Sequence, residues 1–120
     1  MIQEDYCSYE IAKLLKEKGF DEPIDTYYSK DGSEIWPCNA WVKAYPNDYY
    51  PFCTHQMAMK WLRKEGVYMS VDTAISSNGN VYFNIDTYSE KSGWNHVVDF
   101  FDSYEEAIEE AIKYSLENLI

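Results

Sequence analysis

The chain has 120 residues, 46% hydrophobic and 26% charged, which is typical of a single globular domain covering residues 1–120. A formal net charge of −11 disfavours direct binding of nucleic acid, because contacts to a phosphate backbone depend on Lys and Arg. No apolar run approaches the roughly 18 residues of a membrane span, and the N-terminus lacks the basic and apolar regions of a signal peptide. We therefore expect a cytoplasmic protein with no membrane association.

The beginning of the chain predicts a helix followed by a β-hairpin. Ser8 is a favourable N-cap, an apolar stripe follows it, and Gly19 supplies a helix stop. The strand-like residues 24–28 and 34–36 flank an Asp-Gly turn, which indicates two antiparallel strands.

Residues 36–52 show no periodicity and contain three prolines, which predicts a long loop. Six aromatic residues lie in it: Trp36, Trp41, Tyr45, Tyr49, Tyr50 and Phe52. Two interpretations stay open. The rings cover a sheet edge, or some of them, with Trp36 and Trp41 as the candidates, stay exposed and bind a sugar or a protein.

A second helix and a second hairpin follow. Thr54 caps the helix, whose predicted buried stripe consists of Met57, Ala58, Trp61 and Leu62. In the hairpin, a two-residue Asn-Gly turn would set polar residues opposite apolar ones. A three-residue turn with Gly79 in the left-handed position instead pairs Ile75 with Val81 and Val71 with Ile85, so we predict this register.

The final third of the chain adds a strand and a helix. Residues 94–99 are extended in character, which predicts a fifth strand in addition to the four strands of the two hairpins. Ser103 and Glu106 form a capping box that opens the third helix. The order α-β-β-α-β-β-(β)-α predicts an α+β domain in which three helices pack on one face of an antiparallel sheet of four or five strands.

Three short stretches of the sequence resemble a known family. Residues 54–63, together with 103–107 and 116–120, are similar to a family of small uncharacterised proteins of gut bacteria and their phages. The resemblance implies a mobile-element setting. The family has no assigned activity, so the resemblance implies no site residues.

Catalytic and metal sites have weak signals. Cys53 directly precedes a helix start, where the dipole favours a thiolate, and His55 or His96 would be its base in a small hydrolase or transferase. A zinc site built from Cys38 and these three residues lacks the paired spacing that such sites use. Three cysteines without a signal peptide predict reduced thiols. We expect structural roles for these residues, with no metal and no cofactor.

The outer face of the second hairpin is the best candidate for binding. The predicted register gathers an acidic and tyrosine-rich set of side chains there: Tyr68, Asp72, Tyr82, Asn84, Asp86 and Tyr88. Such a face suits a partner that carries Arg or Lys. The competing interpretation is that residues 36–52 or a second copy of the chain cover it.

The sequence therefore favours a non-enzymatic, acidic protein-interaction module, in the setting of an accessory factor of a mobile element. The cysteine-dependent hydrolase or transferase is one alternative. The other is a carbohydrate-binding module that uses the aromatic residues of 36–52.

Overall fold

The computed structural model describes residues 2–120 and has the predicted α+β composition. Its elements in chain order are α1 Tyr9–Glu17, β1 Thr26–Tyr28, β2 Ile35–Pro37, α2 Ala40–Ala44, a 3-10 turn Pro46–Asp48, β3 Tyr50–Pro51, α3 His55–Lys64, β4 Val67–Ile75, β5 Val81–Ser89, β6 Gly93–Phe101 and α4 Tyr104–Asn118. The chain divides into two compact units, a first unit that ends at Ala58 and a second unit, Met59–Ile120. None of the helices within residues 2–120 combines the length and apolarity that a membrane span requires.

The first unit contains α1 and a sheet of three very short strands. The Ser8 side chain accepts a hydrogen bond from the backbone N–H of Ile11, which confirms the predicted cap of α1. In the sheet, β1 lies between β2 and β3, and both pairings are antiparallel. The first hairpin is thus confirmed, and β3 is a partner that the sequence did not indicate.

The predicted loop at 36–52 is wrong, because most of this segment is ordered as short elements. The side chain of Asn39 caps α2 by accepting a hydrogen bond from the N–H of Val42 at 3.0 Å, and Pro46 opens the 3-10 turn. A helix of five residues is too short to show an apolar stripe in the sequence. Pro46 begins a short element, whereas Pro37 and Pro51 are the last residues of β2 and β3.

The second unit contains a regular antiparallel sheet of three nine-residue strands, in the order β4-β5-β6. The predicted register is confirmed, because Ile75 pairs with Val81 and Val71 pairs with Ile85. The turn has three residues between the Ser76 and Asn80 pair, and Gly79 adopts a φ of 87°. Side-chain alternation across this turn was sufficient to fix the pairing of both strands.

The fifth predicted strand is confirmed as β6, which pairs with β5. Its register shifts twice, between the partners of Phe83 and Ile85 and between those of Ile85 and Asp86. A bulge sets two residues of one strand opposite one of the other, so side-chain alternation is interrupted. These shifts explain why the sequence of β6 alternates poorly.

Helix α4 begins at the predicted cap, where Ser103 Oγ accepts a hydrogen bond from the N–H of Glu106. It packs on β5 and β6, and its buried face consists of Ala107, Ile108, Ala111, Ile112, Ser115 and Leu116. Helix α3 follows Thr54 as predicted, and Thr54 Oγ1 accepts a hydrogen bond from the N–H of Met57. The side chain of Met57 is exposed, however, which corrects its place in the buried stripe.

The single sheet of four or five strands with three helices on one face is not what the structure contains. Residues 2–120 form two three-stranded sheets and four α-helices. The hairpin signals were correct, but each hairpin gains its third strand from a neighbouring segment, β3 in the first unit and β6 in the second. Turn residues specify which two strands form a hairpin and carry no information about what pairs with its free edges.

Candidate functional site

The candidate site is the face of the second sheet opposite α4, which we call the outer face. Ile85, Thr87 and Val98 are buried on the side that α4 covers, and the residues next to them along each strand point the other way. The outer face includes Tyr68, Asp72, Tyr82, Asn84, Asp86, Tyr88, Trp94, His96, Asp99 and Phe100. All six residues predicted for this hairpin thus lie on one surface.

Aromatic rings occupy both ends of the outer face. At one end Tyr68 pairs with Tyr88 and Tyr88 pairs with Trp94, with the Tyr88 and Trp94 ring centroids 5.3 Å apart. At the other end Tyr82 and Phe100 meet edge to face at 6.0 Å. Tyr68 is 48% exposed, Tyr88 36%, Trp94 64% and Phe100 67%, so these four rings are open to solvent.

The centre of the outer face is acidic. Asp72 is exposed and lies opposite Asn84, and Asp86 lies opposite His96. The Nδ1 of His96 is 2.5 Å from Asp86 Oδ1, and its Nε2 is 3.4 Å from Asp99 Oδ1. The hydrogen bond to Asp86, and then the one to Asp99, raises the pKa of His96, because both carboxylates favour the imidazolium.

Phe100 is held in an unusual backbone conformation. Its φ is 58°, the left-handed region that bulky residues avoid, and it is the one described non-glycine residue with a positive φ. The Asn84 side chain accepts a hydrogen bond from the N–H of Phe100 at 2.9 Å. Such a conformation costs on the order of 1–2 kcal/mol. The fold therefore bears a cost at the residue that places an exposed ring on the outer face.

Trp36 and Trp41 lie in the first unit. The Trp36 indole N–H donates to Glu34 Oε2 at 3.0 Å, and the exposed Trp41 ring lies 4.7 Å from that of Tyr45. Trp36 lines an open cleft of about 670 Å³. The cleft is lined by Ser29, Lys30, Asp31, Ser33, Glu34, Trp36, Asp48 and Tyr49.

The six rings of 36–52 therefore divide between the two interpretations. Trp36, Trp41 and Tyr45 are exposed, whereas Tyr49 is buried. Phe52 stacks on Tyr6 with centroids 4.3 Å apart. The rings of the first half of the segment are available for binding, and those of the second half are part of the packing of the first unit.

The predicted nucleophile Cys53 is buried in the first unit, as is His55. The Cys53 sulfur lies 4.0 Å from the sulfur of Cys7, a residue that the sequence analysis did not propose for any site. Cys38 is exposed, unlike Cys7 and Cys53, and His96 is on the outer face of the second unit. Of the four residues in the predicted zinc pattern, only Cys53 and His55 are buried in the first unit. The sequence analysis did not identify Cys7 as the neighbour of Cys53.

Sequence reasoning also missed Trp94, His96 and Phe100 on the outer face. Extending the antiparallel pairing through the turn that ends at Gly93 would have placed Trp94 beside Tyr88 and His96 beside Asp86. No such extension reaches Phe100, because the register shift lies between.

The outer face can offer three kinds of contact: flat apolar rings, carboxylate acceptors and one titratable imidazole. Rings beside carboxylates are the groups that bind guanidinium and ammonium ions, by cation–π contact and by charge-assisted hydrogen bonds. Comparison of the chain with models of known protein families, with curated proteins and with solved structures finds no match.

Proposed function

We propose that the protein is a non-enzymatic interaction module whose outer face binds an Arg- or Lys-bearing segment of another protein. The observation that carries the proposal is the combination of four solvent-open rings with the carboxylates of Asp72, Asp86 and Asp99 on one sheet face. Arg stacks on aromatic planes and donates two parallel hydrogen bonds to a carboxylate. A basic segment that crosses the sheet would meet both kinds of group.

The overall charge of the chain supports the same kind of partner. At a net charge of −11 the chain attracts cationic segments over distances of about a Debye length, roughly 8 Å at physiological salt. This attraction speeds association, whereas the aromatic contacts would determine how long the complex lasts. Binding should therefore weaken with salt without being abolished by it.

The strained Phe100 is a second reason to assign a role to this face. Residues in costly conformations persist where the surroundings hold them, and they cluster at binding sites. Asn84 holds the backbone of Phe100. Asn84 is thus a positioning residue in this proposal, whereas the four exposed rings and the three aspartates contact the partner.

The cellular setting is a separate part of the proposal. The resemblance of residues 54–63, 103–107 and 116–120 to phage and gut-bacterial proteins supports a cytoplasmic accessory factor of a mobile element. Inspection of the neighbouring genes tests this directly. Neighbours of ordinary metabolic function in several genomes would contradict it.

The cleft beside Trp36 supports carbohydrate binding as a second candidate function. An exposed indole lies there among carboxylates and hydroxyls, including those of Asp31 and Asp48, which is the combination that binds a sugar ring. A glycan array with the wild-type chain and Trp36→Ala tests it. Binding that disappears in the variant would support this function. The cysteine-dependent activity has less support, since Cys53 is buried.

The main experiment is a selection from a random-peptide display library on the immobilised protein, followed by affinity measurements on synthetic copies of the enriched peptides. We expect enriched sequences that contain Arg or Lys next to an apolar residue. Replacing Tyr68, Tyr82 and Tyr88 together by Ser should weaken binding at least tenfold. The matched control replaces Trp41 and Tyr45, exposed rings of the first unit, by Ser and should bind as the wild type does.

Three outcomes would contradict the proposal. One is enrichment of acidic or neutral peptides only, and a second is an unchanged affinity in the triple tyrosine variant. The third is an equal loss of binding in the control variant, which would show that binding does not depend specifically on the rings of the outer face. Circular dichroism of each variant establishes that it is folded before its affinity is interpreted.

A further inference from the structure

We propose that Cys7 and Cys53 of the first unit are an oxidation site, in which the two thiols form a reversible disulfide bond. Their sulfurs lie 4.0 Å apart, and both side chains are buried. Cys38 is exposed and so differs from both. The pair lies in the first unit and the outer face in the second, so each can be tested without the other.

Backbone pairing brings the two cysteines together although 46 positions separate them in the sequence. Tyr6 forms an antiparallel bridge with Thr54. The cysteines are the next residues in this pairing, and the N–H of Cys7 donates to the carbonyl of Cys53 at 2.9 Å. The segment before α1 and the segment that leads into α3 thus hold the two thiols opposite each other.

This pairing sets the two residues at a separation that a disulfide spans. Facing residues of antiparallel strands have Cα atoms about 4.5–5.5 Å apart, and disulfides join Cα atoms that are roughly 4.4–6.8 Å apart. From their separation of 4.0 Å, the two sulfurs must approach each other by about 2 Å to form the bond. Rotation of both thiols about their Cα–Cβ bonds supplies this approach without movement of the backbone.

Hydrogen bonds to β1 hold the backbone on both sides of the pair. The Tyr28 hydroxyl donates to the Cys7 carbonyl at 2.7 Å. Next to Cys53, the N–H of Phe52 donates to the carbonyl of Thr26, whose hydroxyl donates to the carbonyl of Phe52, both at 3.2 Å. Two groups that are held in contact react with each other faster than with a third group from solution. The fold therefore favours an internal disulfide over a mixed disulfide with another thiol.

The oxidant in this proposal is a peroxide. One thiol attacks a peroxide oxygen as its thiolate and the O–O bond breaks, which gives a sulfenic acid, while the thiol proton and the leaving hydroxide form water. The second thiol then attacks the sulfenic sulfur, the S–S bond forms, and the hydroxyl leaves with the second thiol proton as water. The two sulfurs together lose two electrons and two protons, and one hydrogen peroxide becomes two water molecules. A dithiol reductant reverses the bond by thiol–disulfide exchange.

The bond would constrain the first unit. The loop between Cys7 and Cys53 contains α1, β1, β2, α2 and β3, which are nearly all of the regular elements of that unit. A disulfide stabilises a fold mainly by restricting the unfolded chain, and more so for a long loop. The strands of this sheet have only two or three residues. Oxidation should therefore raise the temperature at which the first unit unfolds.

Burial determines the rate of this reaction and not its product. A reagent reaches the two buried sulfurs only through local opening of the chain, whereas it reaches Cys38 directly. An alkylating reagent should therefore modify Cys38 at least tenfold faster than Cys7 or Cys53. Because of this difference, Cys38→Ser is both the matched control and the cleaner background for the oxidation experiment.

The test treats the reduced, folded full chain and Cys38→Ser with hydrogen peroxide and analyses both by mass spectrometry. We expect Cys38→Ser to lose the mass of two hydrogens, and digestion to give one linked peptide that contains Cys7 and Cys53. The oxidised chain should unfold at least about 5 °C higher than the reduced one, and dithiothreitol should reverse the rise. Cys7→Ser and Cys53→Ser should each show neither the internal bond nor the rise.

Measurements on the wild-type chain keep the test valid if a variant does not fold. Peptide mapping after oxidation in buffer should give the link between Cys7 and Cys53, whereas oxidation in concentrated urea should give a mixture of the pairings of the three cysteines. Two thiols that stay reduced in the folded chain, while Cys38 is oxidised, would overturn the proposal. So would a bond that joins Cys38 to either of them in buffer, or a link between Cys7 and Cys53 that forms only in urea.

Discussion

In the first unit the half-buried rings of Phe52 and Tyr28 pack on each other, whereas in the second unit Tyr68, Tyr88 and Trp94 lie side by side on an exposed sheet face. Phe52 is stacked with Tyr6 at 4.3 Å and meets Tyr28 edge to face at 5.0 Å. Rings of the same types therefore contribute to the packing of the first unit and form an open surface on the second.

The lengths of the strands explain this difference. The first sheet has strands of three, three and two residues, which present too few side chains to bury a core, so large rings supply its contacts. The second sheet has nine-residue strands that bury one face under α4. Its outer rings are not required for that core, so they are available for binding a partner.

The largest expected effect is on the free energy of unfolding, and it distinguishes a packing ring of the first unit from an exposed ring of the second. Phe52→Ala should lower the free energy of unfolding by about 3 kcal/mol, because it removes two ring contacts of the first unit. Tyr88→Ala, at an exposed ring, should lower it by less than about 1 kcal/mol. Urea denaturation followed by circular dichroism measures both. Losses of equal size would remove the distinction between packing rings and binding rings.

A smaller effect is expected at Phe100, where the backbone cost predicts an inverted order of stability. In a strand glycine is normally less stable than alanine, but a φ of 58° favours glycine. Phe100→Gly should therefore unfold at a higher denaturant concentration than Phe100→Ala, by about 1 kcal/mol in free energy. Both variants lack the ring, so both should bind the selected basic peptides less tightly than the wild type does.

The reverse order of stability would contradict this account of Phe100. It would mean that the left-handed conformation is not retained and that the ring has no fixed place on the outer face. Asn84→Ala is a separate check, since it removes the acceptor of the Phe100 N–H and leaves the ring present. It should reduce affinity for the peptides because the ring is less well positioned.

A gain in stability is expected on the covered side of the second sheet. The Thr87 hydroxyl is buried and, within the described residues, has no hydrogen-bond partner. Thr87→Val replaces that hydroxyl by a methyl group of similar shape and should raise the free energy of unfolding by about 1 kcal/mol. Thr73→Val, at an exposed position of β4, is the control and should change it little. A loss of stability in Thr87→Val would indicate that the hydroxyl has a bound partner in solution.

Much of the fold could be predicted from the sequence because several elements carry local signals. The caps at Ser8, Thr54 and Ser103 and the turn at Gly79 each act within a few residues, and all four were read correctly. The pairing of β3 with β1 joins segments more than twenty residues apart, and nothing local specifies it. The two-sheet arrangement was therefore beyond local reasoning.

The candidate site divides in the same way. Tyr68, Asp72, Tyr82, Asn84, Asp86 and Tyr88 were predicted together because one turn fixes their register. Phe100 reaches the outer face only through a register shift in β6, which alternation does not reveal. Cys7 contacts Cys53 through a long-range backbone pairing, so this contact was not visible in the spacing of the cysteines.

The smallest expected effect is on how stability depends on pH, and its sign is opposite for Asp31 in the first unit and His96 in the second. The pKa of Asp31, in the first hairpin turn, is lowered to about 2 by hydrogen bonds from Ser33 and Ser29. Its contribution to stability is therefore present above the unfolded value of about 3.9 and is lost as the pH falls towards 2. The pKa of His96 is raised by Asp86 and Asp99. Its contribution is present below about 6.5 and is lost as the pH rises through the folded value.

Two variants separate these contributions. Asp31→Asn should reduce the loss of stability on the acid side, and His96→Gln should reduce it on the alkaline side, each by a small amount because both groups are at the surface. NMR titration of the His96 ring should give a pKa above 6.5 that falls in Asp99→Asn. Protonated His96 neutralises part of the acidic centre, so basic peptides should bind more tightly above that pKa than below it. An affinity independent of pH across this range would show that the Asp86, His96 and Asp99 group takes no part in binding.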